Sequence, residues 1–126
     1  MPEEAVRLVP RQALEALKDE WGGMRCRFIV PPKDGGWSDF AFSEWELEAG
    51  TWSDLHHHDE LNFILKGELE VESEGITRVA GPGDTVVVKA GCRGTYTARG
   101  FVHMVAIYGP NPGVPDGEYQ YRDLTD

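Results

Sequence analysis

The sequence has few basic residues, and this shortage excludes partners that carry negative charge. It contains 12 Lys and Arg residues against 22 Asp and Glu residues, which gives a formal net charge of −10 at pH 7. No basic run offers counter-charge to a phosphate backbone or to an anionic lipid surface. We therefore expect no nucleic acid and no membrane among the partners of this protein.

Several other signals are missing as well. No apolar run approaches the roughly 18 residues of a spanning helix, and the start Met-Pro-Glu-Glu is unlike a signal peptide. The two cysteines, Cys26 and Cys92, imply no disulfide framework and do not have metal-ligand spacing. Neither a glycine-rich phosphate loop nor a Gly-x-Ser-x-Gly elbow occurs, so no nucleotide cofactor is expected. These absences predict a soluble, cytoplasmic protein, and 126 residues suit a single domain.

Helical periodicity is confined to one short segment near the N-terminus. Within residues 10–21, Leu14, Leu17 and Trp21 recur at spacings of three and four, which predicts one short helix in an N-terminal arm, residues 1–23. Residues 24–108 instead show short alternating segments separated by turn signals about every 8–12 residues, which is typical of an all-β barrel or sandwich. Residues 109–126 are rich in Pro, Gly and Asp, and we expect them to form an extended tail.

Eight short strands are predicted from the alternation of apolar and polar residues. Phe40 and Phe42 have the opposite parity to Trp45 and Leu47, which predicts a bulge or a change of face near residue 43. Gly50 is expected to end that strand. The predicted strands are 25–30, 40–47, 60–65, 68–73, 76–79, 85–88, 95–98 and 101–108.

Three of the four histidines are adjacent, and this cluster is the main chemical signal in the chain. His56, His58 and Glu60 have the same parity in extended backbone, so two imidazoles and one carboxylate can converge on one point. Such a set binds one divalent transition metal, and Fe, Mn, Ni and Zn all suit it. His103, in the last predicted strand, is a further candidate ligand, although a histidine among apolar neighbours is also typical of a core position.

The segment from Gly50 to Gly67 resembles the first conserved motif of the cupins. That motif is a Gly, five residues, His-x-His, three or four residues, Glu, six residues and a Gly. Counted forward from Gly50, the histidine positions fall on His56 and His58, and the Glu position falls on Asn62.

A second register appears when the motif is counted backward from Gly67. The Glu position then falls on Glu60, one histidine position falls on His56, and the other falls on Asp54. Taken together, the two registers imply His56, His58 and Glu60 as metal ligands. Asp54 and Asn62 are then further candidates for binding a ligand, with Asp54 either on the metal or beside it.

The second cupin motif is only partly present. Its glycine positions fall on Gly83 and Gly91, but its metal-binding histidine is replaced by Gly94 and its final Asn by Ala98. The run from residue 89 to residue 96 resembles the small single-domain cupins related to ethanolamine-utilisation proteins, in which Gly-Thr-Trp or Gly-Thr-Tyr replaces the histidine. The resemblance implies a cupin-type jelly-roll β-barrel over residues 24–108.

The same resemblance implies a function in binding or converting a small metabolite, one that is anionic or bears a carbonyl group. The metal would act as a Lewis acid or hold dioxygen, with Glu60 and Tyr96 as candidate catalytic residues and Trp52 at the mouth of the site. Two alternatives remain open. One is a metal-free cupin that serves as a ligand-binding or assembly module, and the other is a metal-independent isomerase that uses His58 as base and Tyr96 as acid.

The strand that begins at Glu60 also predicts an interaction surface. If Glu60 faces the interior, then Leu61, Phe63 and Leu65 face outward and require a cover. Either the N-terminal helix or a second subunit would provide it. Cupins commonly pair through sheet faces, so the resemblance implies a homodimer.

Overall fold

A computed structural model describes residues 5–125 and shows nine β-strands and no helix in that range. The chain is therefore all-β, as the sequence predicts. The strands are β1 (Glu15–Ala16), β2 (Met24–Val30), β3 (Ala41–Leu55), β4 (Glu60–Gly67), β5 (Leu69–Ser73), β6 (Ile76–Ala80), β7 (Thr85–Val88), β8 (Arg93–Tyr108) and β9 (Gly117–Asp123).

Two long strands, β3 and β8, organise the barrel. They pair antiparallel over almost their whole length, from Ala41 opposite Tyr108 to Leu55 opposite Arg93. At one end they continue to β2 on one side and to β4 and β7 on the other. At the other end they continue to β9 and to β5 and β6. The two halves share one apolar core, which gives the expected jelly-roll architecture.

Strand β3 changes its course at Ala49, not at residue 43 as the sequence suggested. Ala41, Ser43, Trp45 and Leu47 are all buried, so their inward parity is unbroken. The register with β8 shifts next to Ala49, which has a positive φ of 41°. Such a bulge bends the strand, and β3 continues beyond it to the second half of the barrel. The prediction that the strand ends at Gly50 is therefore wrong.

The predicted N-terminal helix over residues 10–21 is also wrong. The segment forms the two-residue strand β1, which pairs with Arg25 and Cys26 of β2, and then a turn that leads to Trp21. A helix of this length has a costly nucleus and needs a continuous apolar stripe to stabilise it. Leu17 is 47% exposed, while Trp21 packs on Trp52 with ring centroids 4.9 Å apart. The three apolar residues thus do not share one buried face.

The tertiary structure joins two predicted strands into one and keeps the predicted parity of another. No turn forms at Arg99 and Gly100, so β8 is continuous. In β4, Glu60 and Ile64 are buried, as their predicted inward parity requires. The tail pairs with β3 through β9. Among residues 5–125 there is no helix with the length and apolar character that crossing a membrane requires.

Candidate metal site and adjoining cavity

The connection between β3 and β4 brings together three side chains of the kinds that can bind a metal ion. Asp54 lies near the end of β3, Glu60 is the first residue of β4, and His56 lies between the two strands. One ligand atom from each residue lies within 4.8 Å of the other two. Asp54 is 7% exposed, Glu60 is 5% exposed and His56 is 1% exposed. The cluster is therefore buried and carries two carboxylates and one imidazole.

The imidazole of His56 stands between the two carboxylates. Its Nε2 atom lies 2.9 Å from Oε1 of Glu60 and 3.4 Å from Oδ1 of Asp54. Its Nδ1 atom lies 3.1 Å from the carbonyl oxygen of His58. When Nδ1 carries a proton, it donates to that carbonyl, which orients the ring and leaves Nε2 available to a metal.

Two neighbouring side chains orient the carboxylates. Trp52 donates from Nε1 to Oδ2 of Asp54 at 3.2 Å, and Asn62 donates from Nδ2 to Oε2 of Glu60 at 2.9 Å. In each carboxylate this leaves the other oxygen on the side of His56, and Oδ1 of Asp54 accepts no hydrogen bond among the described residues. One nitrogen and two oxygen ligands with two negative charges fit a divalent transition metal such as Mn, Fe or Zn.

The close packing of the cluster perturbs its titration. Burial, together with the nearby charge of Glu60, raises the pKa of Asp54 to about 7. Burial by itself lowers the pKa of His56, but the hydrogen bond to Glu60 and the charges of Glu60 and Asp54 outweigh it and raise that pKa to about 9. Both raised pKa values have the same meaning. The two carboxylates stabilise a positive charge placed between them, whether it is a proton or a metal ion.

His58 is buried beside the cluster but is not one of the three converging groups. Its ring stacks on that of His56 with centroids 4.3 Å apart, and its Nδ1 atom lies 3.2 Å from the carbonyl oxygen of Asp59. Its Nε2 atom lies 3.5 Å from Oδ1 of Asp116. The third member of the cluster is therefore Asp54 and not His58. This set agrees with the motif register counted backward from Gly67.

His103 is a correction to the predicted ligand set. It points to the outer face of β8, where its Nε2 atom lies 2.6 Å from Oε2 of Glu44. Its neighbours Val102 and Met104 are fully buried, so their side chains face inward and the side chain of His103 faces outward. A metal ligand at this position would have to face inward. His103 does not reach the cluster.

Tyr96 is fully buried next to the cluster, and its hydroxyl group makes no hydrogen bond among the described residues. Burial and the charges of Glu60 and Asp54 raise its pKa well above the usual value. Neither Tyr96 nor Asn62 is among the residues that line the cavity, whereas Trp52 is. Tyr96 is therefore not part of the cavity wall, and its catalytic role stays a prediction.

A cavity of about 620 Å³ adjoins the cluster. Asp54, His56, His58 and Glu60 contribute to its wall. The C-terminal tail contributes Asp116 and Tyr119, which the sequence analysis missed. They lie beyond the conserved motifs, and no local pattern marks them, so only the path of the tail brings them to the site. The other aromatic lining residues are Trp21, Phe28, Trp37, Trp45, Trp52 and Tyr108.

Comparison with known protein families and with curated proteins finds EutQ-related proteins in both cases. The EutQ-like cupin domain family matches residues 38–104, just over half of the chain. A curated relative, the acetate kinase EutQ of Salmonella typhimurium, is 30% identical over 79 residues, which are 60% of this chain and 34% of that protein. The chain thus spans about a third of the length of this relative.

Solved structures share the fold. A EutQ protein structure from Salmonella typhimurium superimposes with a TM-score of 0.61 and 24% identity, covering 69% of each chain. The polyketide cyclase RemF from Streptomyces resistomycificus gives a TM-score of 0.67 with 14% identity, covering 90% of this chain and 84% of that one. At these identities the likeness concerns the fold alone.

Proposed function

Because the chain belongs to the EutQ-like cupin domain family, we propose that it is a small metal-binding cupin that acts on a small metabolite held in the cavity. The observation that carries this proposal is the convergence of Asp54, His56 and Glu60 on one buried point. Each carboxylate has one oxygen held by a donor and the other directed to that point. Hydrogen bonds that orient the ligands, made by residues that do not bind the metal themselves, are typical of metal sites.

The cavity would hold the metabolite next to the metal. A bound divalent metal would supply a Lewis acid that polarises an oxygen of the metabolite. His58 lies on the cavity wall beside Asp116, and we assign to its imidazole the exchange of a proton with the metabolite. Trp52 and Asn62 hold the carboxylates, and the aromatic wall offers apolar surface to the bound molecule.

Two observations favour a second candidate function, a metal-free module that binds a ligand. The cluster is able to satisfy its own charges, because a protonated His56 pairs with Glu60 at 2.9 Å. Gly94 also leaves the cluster without the histidine that the second motif normally supplies. For either function we place the protein in the cytoplasm, where the unpaired Cys26 and Cys92 remain reduced.

Elemental analysis of untagged protein, as purified and after reconstitution with Fe, Mn, Ni and Zn, tests the proposal. We expect near-stoichiometric metal in the wild type and its loss in His56→Ala, Asp54→Asn and Glu60→Gln. His58→Asn should keep most of the metal, because the ring lies beside the cluster. His103→Asn is the matched control, since this histidine contacts Glu44 on the outer face.

The outcomes separate the candidates. Full metal occupancy in His56→Ala would show that the metal binds elsewhere, and the proposed site would be wrong. Absence of metal in the wild type under every reconstitution condition would favour the metal-free module. Circular dichroism of each variant distinguishes loss of a ligand from loss of the fold.

A further inference from the structure

Aromatic side chains line the cavity next to the C-terminal tail. Trp52 stacks on Tyr119 with ring centroids 5.4 Å apart and an interplanar angle of 28°. Trp37 lies 5.5 Å from the ring of His58 on the same wall. Aromatic faces carry partial negative charge and attract organic cations.

Asp116 adds a formal negative charge to this end of the cavity. Its Oδ1 atom is buried and makes no hydrogen bond within residues 5–125, and His58 Nε2 lies 3.5 Å away. A divalent metal held by Asp54, His56 and Glu60 would leave the charge of Asp116 without a metal partner. A positively charged group is the partner that a carboxylate in such a site favours.

Among the described residues, no lysine or arginine forms an ion pair with Asp116. No arginine lines the cavity in the described part of the chain, and Arg25 and Arg27 pair with Glu46 and Glu44. Two lysines are part of the lining, and the Nζ atom of Lys18 is directed at the ring of Trp21, 4.6 Å from its centroid. The wall therefore lacks a bidentate group for a carboxylate or phosphate ligand.

A buried donor in the same cavity points to a second feature of the ligand. Trp45 is 5% exposed and lines the cavity, and its Nε1–H group makes no hydrogen bond among the residues described. A buried indole N–H without a partner costs free energy, so an acceptor atom on a ligand would relieve it.

We propose that the cavity binds a small molecule that has an ammonium group at one end and an oxygen acceptor at the other. Asp116 and the stacked pair of Trp52 and Tyr119 hold the ammonium group, while Trp45 and the metal site face the oxygen. The metal end of this assignment rests on the proposed function. The ammonium end depends on Asp116 and Tyr119, which are not among the three metal ligands, and on Trp52, which also donates a hydrogen bond to Asp54.

Choline and its neutral carbon isostere, 3,3-dimethylbutan-1-ol, are matched probes for this proposal, because they differ mainly in charge. Calorimetry on the wild-type protein should show that choline binds at least about tenfold more tightly than the isostere, because only choline carries the positive charge that the aromatic rings and Asp116 attract. The titrations use both metal-free and metal-loaded protein, and the metal content of each sample is measured.

Two variants assign the preference to named groups. Asp116→Asn should lower choline affinity about tenfold and leave the isostere unchanged, and Tyr119→Leu should lower choline affinity in the same direction. Asp84→Asn, in the turn between β6 and β7, is the control variant and should bind both probes as the wild type does. Near-UV circular dichroism establishes that each variant is folded.

The inference and the proposed function fail in different ways. Equal binding of choline and the isostere by metal-loaded protein would overturn the inference and leave the metal site intact. Preserved choline preference in Asp116→Asn would also overturn it. Protein that holds no metal but prefers choline through Asp116 would overturn the metal function and support the ammonium site.

Discussion

A Cβ atom built on Gly94 would lie 2.7 Å from the hydroxyl oxygen of Tyr96 and 2.9 Å from two of its ring carbons. Tyr96 is fully buried and packs edge-on against Trp45, so its ring has no room to retreat. Gly94 pairs with Asp54 across β3 and β8. The phenol ring thus occupies the space beside the cluster that a side chain at position 94 would need. The glycine at the position of the second-motif histidine and the tyrosine at position 96 therefore depend on each other, because the ring of Tyr96 fits only where residue 94 has no side chain.

The first prediction concerns this contact. Gly94→Ala should lower the free energy of unfolding by about 1–3 kcal/mol, because the added methyl group overpacks a rigid site. In a Tyr96→Leu background the same substitution should cost far less, which a double-mutant cycle of chemical denaturation measures. Gly100→Ala is the control, since nothing lies within 4 Å of a Cβ atom there. Equal costs in the two backgrounds would contradict the proposed clash.

The second prediction concerns the support of Glu60. Asn62 is fully buried, and its Nδ2 atom donates to Oε2 of Glu60. Asn62→Leu removes this donor, so we expect metal affinity to fall about 10–100-fold while the three ligands remain. Competition with a chromogenic chelator measures the affinity. An affinity equal to that of the wild type would show that the hydrogen bond does not orient Glu60 for metal binding.

The third prediction is the pH dependence of metal affinity. In metal-free protein the pKa of Asp54 is raised to about 7 and that of His56 to about 9, so both groups hold protons at low pH. Metal binding must displace these protons. Apparent affinity should therefore rise with pH, by up to about 100-fold per unit below pH 7, by about tenfold per unit between pH 7 and 9, and little above pH 9. Titrations with a metal buffer across pH 6–10 measure this profile, and a flat profile would contradict the assignment of these ligands.

The fourth prediction concerns the outer face of the barrel. Phe42, Ile107, Leu61 and Val87 occupy paired positions on four adjacent strands, β3, β8, β4 and β7. They form an apolar row in which Ile107 is 42% and Val87 is 53% exposed. We expect a second copy of this chain to cover the row, because the same patch on both subunits makes a self-complementary interface. The measurement is the molar mass by light scattering after gel filtration.

Variants test the location of this interface. Ile107→Glu should convert the expected dimer to a folded monomer, because it introduces a charge into the apolar row. Ile76→Glu is the control, since Ile76 is 56% exposed on β6, which is not part of this row. A monomeric wild type, or a dimer that persists in Ile107→Glu, would reject the interface.

The sequence by itself determined the class of fold and the place of the site. Alternation with period two is a local property, so it predicted most of the strands and the inward parity of Glu60 and Ile64. The motif glycine Gly67 has a positive φ of 84°, a backbone requirement that is legible in the sequence because glycine meets it without strain. The histidine cluster lies on the connection that its spacing indicated.

The tertiary structure decided which groups share one point. His58 and Asp54 have the same parity as His56, and only the course of the chain between β3 and β4 selects Asp54 for the cluster. His103 faces outward because the register of β8 is fixed by its partners, not by its own residues. Trp21 packs against the core without a helix, and Asp116 reaches the cavity from about 60 residues further along the chain than Asp54. Contacts between distant segments depend on how the whole barrel closes, and no local pattern records them.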